Sequence, residues 1–114
     1  QPRAEQQFRG DVYVLVDRHS YSNAVTFAAM VQDYGFGTII GEETADLATT
    51  YGAMESFTLP NSGVSVGFPK AYIIRPNGDV TVRGVVPDIT IPAPIVLGEG
   101  DVVLDAALAL VEGR

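Results

Sequence analysis

Polar and apolar positions change period twice between residues 11 and 43. Val12 to Val16 form a continuous apolar run bounded by Asp11 and Asp17, the pattern of a strand buried on both faces. From Ser22 the period becomes helical. Ala24, Phe27, Ala28 and Val31 fall on one face, and Gly35 is the residue usual just past a helix C-terminus. The spacing therefore predicts a helix over 22–34. A second apolar run, GTIIGE at 37–42, predicts a strand, and a strand–helix–strand unit with its right-handed crossover makes the two strands parallel. The expected class is α/β.

Beyond Glu43 the small-residue stretch ADLATTYGA at 45–53 has weak periodicity and reads as a functional loop. Residues 54–60 and 64–69 flank NSG and predict a hairpin, with Gly63 able to take positive φ. Residues 70–75 and 80–85 flank PNGD and predict a second hairpin, for which Asn77-Gly78 is the strongest turn signal in the chain. Pro87, Pro92 and Pro94 interrupt regular structure between 85 and 95. In the last segment Asp101 is a plausible N-cap, and Leu104, Ala107, Leu108 and Val111 share a face, which predicts a terminal helix packed on the sheet. Residues 1–10 read as a polar lead-in. With no internal repeat and no linker, 1–114 reads as one domain.

Composition narrows the function classes. The chain has 114 residues, 46% of them hydrophobic, and a domain of this size buries about two-thirds of its unfolded surface. Fourteen acidic against seven basic residues give a net charge of −7 with no basic cluster, which argues against nucleic-acid binding. The lack of cysteine excludes disulfides and thiolate metal sites, and a single histidine leaves a conventional zinc site without ligands. No metal or cofactor is expected. No apolar run is long enough to span a membrane, and QPRAEQQFRG lacks the apolar core of a signal peptide.

The chemistry centres on VDRHSYSN, residues 16–23. A serine at the start of a helix that follows a buried strand meets unpaired backbone N–H groups and the positive end of the helix dipole, which suits an oxyanion. Ser22 is thus a candidate nucleophile; equally, serine is a preferred N-cap. His19 lies too close along the chain to face Ser22 as a base, because a base must reach the nucleophile within hydrogen-bond distance. Lys70, the only lysine, reads as a strand-end residue with its ammonium in water. Glu42 and Glu43 open the small-residue loop, as pocket-lining residues or as a solvated corner. Local chemistry nominates Ser22 and completes no dyad or triad.

Several motifs in order resemble the C-terminal processing peptidases, or tail-specific proteases, and their tricorn-type relatives, from about Phe8 to the end. V-D-R-H-S-Y-S at 16–22 is similar to the family's nucleophile segment, and Q-D-Y-G at 32–35 to the close of its helix. Ile40-Gly41-Glu42-Glu43-Thr44 matches its V-G-E-x-T, LPNSG at 59–63 and PNG at 76–78 its turns, and Gly84-Val85-Val86-Pro87-Asp88-Ile89 its G-V-x-P-D-I signature. The resemblance implies a Clp-protease/crotonase-like α/β fold, Ser22 as nucleophile, and Asn23, Asp33, Glu42 and Thr44 as supporting or substrate-binding residues. It also marks departures. Leu47 stands where the bacterial processing enzymes place a lysine base, so a Ser–Lys dyad of that type cannot form. Thr81, Val82 and Arg83 stand where tricorn-type members place a glutamate, and the segment carrying their histidine has no counterpart here.

The resemblance implies the C-terminal part of a serine peptidase catalytic domain, acting on a peptide or protein substrate, with its N-terminal half elsewhere in the same protein. Separated from that half, the 114 residues are expected to be inactive, to expose the edge of the first strand and to self-associate. A periplasmic or secreted location is expected from the relatives. The alternative is a non-catalytic member that binds a ligand or peptide, favoured by Leu47 and by loop 44–54. A thioester-processing enzyme of the wider fold fits less well, since those enzymes use oxyanion-hole amides without a serine in this segment.

Overall fold

In the computed structural model the described residues are 7–95 and 100–113, so the first six positions of the expected lead-in lie outside them. β1 (Tyr13–Val16), α1 (Asn23–Asp33) and β2 (Thr38–Gly41) form the expected unit, and β1 and β2 are parallel, with Tyr13 opposite Thr38 and Val16 opposite Gly41. A two-residue strand β5 (Ile89–Thr90) extends this sheet on the other side of β2, giving the order β1-β2-β5. No strand was expected among the prolines near 85–95. It forms because the Asp88 N–H donates to the Ile39 carbonyl at 2.9 Å and the Ile91 N–H to the Gly41 carbonyl at 2.8 Å.

β1 is consequently an edge strand. It is not buried on both faces as its unbroken apolar run implies, and Leu15 is 39% exposed. The core lies between α1 and the sheet, where Val25, Ala28, Ala29 and Val31 pack with Val16, Ile39 and Val85. The buried face of α1 is rotated from the expected one, since Ala24 is exposed and Phe27 is 53% exposed. The helix is apolar nearly all round, so its period alone does not choose the face. It ends in a Schellman motif: Gly35, at φ 67, donates to the Gln32 carbonyl at 3.1 Å and Phe36 to that of Val31 at 2.9 Å.

The second helix, α2 (Val102–Val111), is capped as expected, the Asp101 carboxylate accepting from the Val103 and Leu104 N–H groups. It packs on the sheet through Val103 and Ala107 against Ile40. Leu104, Leu108 and Val111, expected on the buried face, are exposed. Among the described residues no helix is long and apolar enough to cross a membrane.

One hairpin forms where two were expected. β3 (Thr50–Thr58) and β4 (Ser65–Ile73) pair antiparallel, with Gly63 at φ 72 in the connection. β3 begins at Thr50, so the expected loop over 45–53 ends four residues early. β4 runs through Lys70, which lies inside the strand and pairs with Glu55 across it, rather than at a strand end. The Asn77-Gly78 turn forms, yet 80–85 is not a strand. Its groups are bonded elsewhere: the Gly84 N–H donates to Glu43 at 3.0 Å, the Val85 N–H to the Thr44 hydroxyl at 2.9 Å, and the Arg83 carbonyl accepts the Ala48 N–H at 3.1 Å. β3 and β4 pack chiefly on each other and leave Tyr51, Met54, Phe57 and Tyr72 exposed. The radius of gyration is 18.1 Å, against about 13 Å for a compact chain of this length.

Candidate active site

Ser22 is the N-cap of α1 and is exposed. Its backbone, at φ 56 and ψ −123, occupies a region that non-glycine residues seldom adopt. A sharp strand-to-helix turn with a strained serine is the local geometry that lifts a hydroxyl clear of its own helix. The hydroxyl makes no capping bond. The first helical amides are satisfied otherwise, Ala24 donating to the Tyr21 carbonyl at 3.2 Å and Val25 to that of Ser22 at 3.0 Å. Ser22 therefore occupies the cap position without performing the cap's usual side-chain role.

The preceding turn is fixed by its own side chains. The Asp17 N–H donates to Ser20 Oγ at 3.0 Å, and Asp17 Oδ1 accepts from the His19 N–H at 2.8 Å. His19 is exposed, and among the described residues no hydrogen bond joins it to Ser22. A concavity of about 400 Å³ opens beside this turn, lined by Leu15, Asp17, Ser20, Pro94 and Val102. Ser20, and not Ser22, lines it.

Segment 44–47 docks against the serine turn. Buried Thr44 donates through its hydroxyl to the Asp46 carbonyl at 3.0 Å and accepts from the Val85 N–H at 2.9 Å, while the Ala45 N–H donates to the Ser20 carbonyl at 3.2 Å. A Cβ on Gly84 would meet the Thr44 carbonyl oxygen at 2.3 Å, so only glycine lets these segments approach. Thus held, Asp46 accepts the Leu47 N–H on Oδ1 at 2.9 Å and the Ser22 N–H on Oδ2 at 3.1 Å. Sequence reasoning passed over Asp46. A contact that crosses 24 residues leaves no periodic or spacing signal.

The remaining candidates lie around this junction rather than at it. Asn23 is exposed as the first residue of α1. Glu42 accepts from Arg18 Nε at 2.8 Å and from Nη2 at 2.7 Å, and Arg18 also donates to the Ala93 carbonyl. The hydrogen bonds from Arg18 hold the Glu42 carboxyl below its ordinary range. Glu43 is likewise lowered, first by its bonds from Arg83 and then by the Gly84 N–H. Both glutamates are ion-paired at the corner, and neither is poised as a base.

Asp33 stands at the far end of α1, about 16 Å along the axis from Ser22. Arg75 donates to it from Nε at 3.0 Å and from Nη2 at 2.6 Å, and Asn77 donates from its N–H and its side chain, both at 3.1 Å. The side chains of Asp33 and Arg75 are 3% and 9% exposed. Burial pushes the Asp33 carboxyl up, but the bonds from Arg75 and Asn77 outweigh it and hold the group below the usual carboxylate range. Its neighbour Gln32 donates to the Val86 carbonyl and to Asp88, both at 2.9 Å, and Asp88 accepts the Ile39 N–H at 2.7 Å. Gln32, Asp33 and Asp88 thus clamp the C-terminal end of α1.

Comparison with known proteins places these elements. Residues 1–91 match the model of peptidase family S41. Over 95 residues the chain is 35% identical to the tail-specific protease of Haemophilus influenzae, covering 78% of this chain and 14% of that protein. Mature CPAF superposes with a TM-score of 0.62 at 25% identity, over 78% of this chain and 17% of that one. The photosystem II D1 C-terminal processing protease gives a TM-score of 0.59 at 28% identity, over 72% of this chain and 20% of that one.

Proposed function

The chain belongs to peptidase family S41, and we propose that it is the C-terminal part of the catalytic domain of a larger serine peptidase, with Ser22 as nucleophile. The Ser22 hydroxyl carries this reading. It is exposed at a strand-to-helix junction, on a positive-φ backbone, and it caps nothing. In the reaction the Ser22 Oγ–C bond forms on a peptide carbonyl, and the hydroxyl proton passes to a base. The carbonyl electron pair moves onto oxygen beside the N–H of Asn23, the residue after the nucleophile, at the positive end of α1. Collapse expels the amine, which takes a proton, and water then hydrolyses the acyl-enzyme. No cofactor enters. Neither Leu47 nor ion-paired Glu42 and Glu43 suits the base, so we assign it to the N-terminal half of the same protein.

The substrate is accordingly a peptide or protein, and Asn23, Glu42 and Thr44 frame its approach to Ser22, with Asp33 holding the far end of the helix. A Clp-protease/crotonase-like arrangement and a periplasmic or secreted location go with this reading. The missing half would cover the free edge of β1 and the exposed hairpin; without it the chain self-associates and cleaves nothing. A fluorophosphonate probe tests the nucleophile: the full-length protein should label at Ser22, and Ser22→Ala should not. Equal labelling of both forms would remove Ser22 from that role. A second reading, a non-catalytic ligand- or peptide-binding member, is favoured by Leu47 in the lysine position and would be supported by intact folding without any label.

A further inference from the structure

We propose that the full-length protein pairs with a second copy of itself through one face of the β3–β4 hairpin. Neither the face nor its occupant depends on which residue is the nucleophile. In the antiparallel register Tyr51 lies opposite Tyr72, Glu55 opposite Phe68 and Phe57 opposite Val66, so strand alternation puts these side chains and Lys70 on one face. Side-chain contacts agree. The Tyr51 and Tyr72 rings lie 4.8 Å apart and those of Phe57 and Phe68 6.1 Å apart, with the Lys70 ammonium donating to Glu55 between the two ring pairs. Half-buried Thr50, Gly52 and Ala71 belong to the opposite face, which is the one turned toward the rest of the chain and the one the N-terminal half can cover.

Charge selects the occupant. The chain carries a net charge of −7, yet between Asp46 and Arg75 the only charged side chains are Glu55 and Lys70, the sole lysine. Two acidic copies repel over most of their surfaces, whereas this face is neutral and its charges complement themselves. A two-fold axis in the plane of contact, crossing between Lys70 and Glu55, brings Lys70 of each copy over Glu55 of the other and the tyrosine end toward the phenylalanine end. A strongly basic partner would be drawn to the acidic remainder of the chain instead. Tyr51 and Tyr72 are 68% and 48% exposed, and Phe57 and Phe68 51% and 38%, together the uncovered area of about two whole aromatic side chains, or about 300–500 Å². Doubled, and with the stems of Lys70 and Glu55 included, the contact comes to about 1,000 Å², the lower bound of a specific interface. The dimer is therefore weak, with a dissociation constant in the micromolar range.

The test uses the full-length protein and its Lys70→Glu and Glu55→Lys variants. Circular dichroism checks their folding, and sedimentation velocity reads association across the micromolar range. An exposed cross-strand pair contributes little to folding, so each reversal should fold. The contact is then all acidic or all basic at the axis, and self-association of either variant should weaken at least about tenfold. Mixing the two variants should restore a dimer containing one of each at about the wild-type affinity, because an acidic face then meets a basic one. A role confined to the hairpin's own fold gives no such restoration, since each variant keeps its own defect in the mixture. Monomeric wild type at high micromolar concentration overturns the proposal and leaves the Ser22 reading untouched; the N-terminal half then covers this face as well. A dimer that neither reversal weakens, or a mixture that stays monomeric, also overturns it. If a reversal fails to fold, Phe57→Ser decides: a weakened dimer supports the face, and an unchanged dissociation constant refutes it.

Discussion

Replacing Asp33 by alanine should cost more stability than any comparable exposed charge in this chain. The Asp33 carboxylate accepts four hydrogen bonds, two from the Arg75 guanidinium and two from Asn77, with 3% of its side chain exposed. Arg75 is 9% exposed, so truncating Asp33 strands a guanidinium away from both water and its counter-ion. Breaking such a buried pair costs about 3–5 kcal/mol, against about 0–1 kcal/mol for an exposed pair such as Arg83 with Glu43. With a urea slope of about 1–3 kcal/mol/M, the unfolding midpoint should fall by about 1 M or more. Circular dichroism of wild type, Asp33→Ala and the Asp33→Leu/Arg75→Leu double variant would read this, and the double variant should recover much of the loss. The pH dependence has a definite sign. Because the folded-state pKa of Asp33 is depressed, its contribution is fully present above the unfolded value, and it is lost as pH falls from about 4 through the lower folded value. The gap between wild type and Asp33→Asn should therefore narrow only in acid. A loss below about 1 kcal/mol for Asp33→Ala at neutral pH, or a gap constant down to strong acid, would refute the reasoning.

Two further outcomes follow from backbone geometry and edge exposure. Gly41 sits at φ 127, and a Cβ there would lie 1.9 Å from the Val16 carbonyl oxygen, so Gly41→Ala should destabilise the sheet by more than about 1–3 kcal/mol in the same urea assay; a neutral substitution would contradict the β1–β2 packing. The uncovered edge of β1 and the exposed aromatic residues of the hairpin should make the isolated 114 residues associate at micromolar concentration, which sedimentation velocity would detect; a single monomeric species would count against it.

The elements whose signals are local were legible. A continuous apolar run, a helical period and Gly35 sufficed for the β1–α1–β2 unit, and Asp101 sufficed for the start of α2. The helix faces were not, since α1 and α2 carry apolar residues on several sides and only packing selects Val25 over Phe27, or Val103 over Leu104. The second hairpin failed for a different reason. Asn77-Gly78 turned as its chemistry dictates, but the strand meant to follow it lost its groups to Glu43, Thr44 and Ala48. Tertiary partners outcompeted a local preference. At the site, Ser22 was visible as a residue and ambiguous as a role, because a cap and a nucleophile share an address; only its unbonded hydroxyl and positive φ separate the two.

The distances along α1 also explain why motifs that identify a family need not mark its chemistry. Gln32 and Asp33 hold the C-terminal end of the helix to Arg75, Asn77, Val86 and Asp88, about 16 Å from the hydroxyl they would be expected to assist. The N-terminal end is held by backbone turns, by Asp46 and by buried Val25 in the core. A substitution at Asp33 should then act on folding first, and on Ser22 only through the helix that joins them.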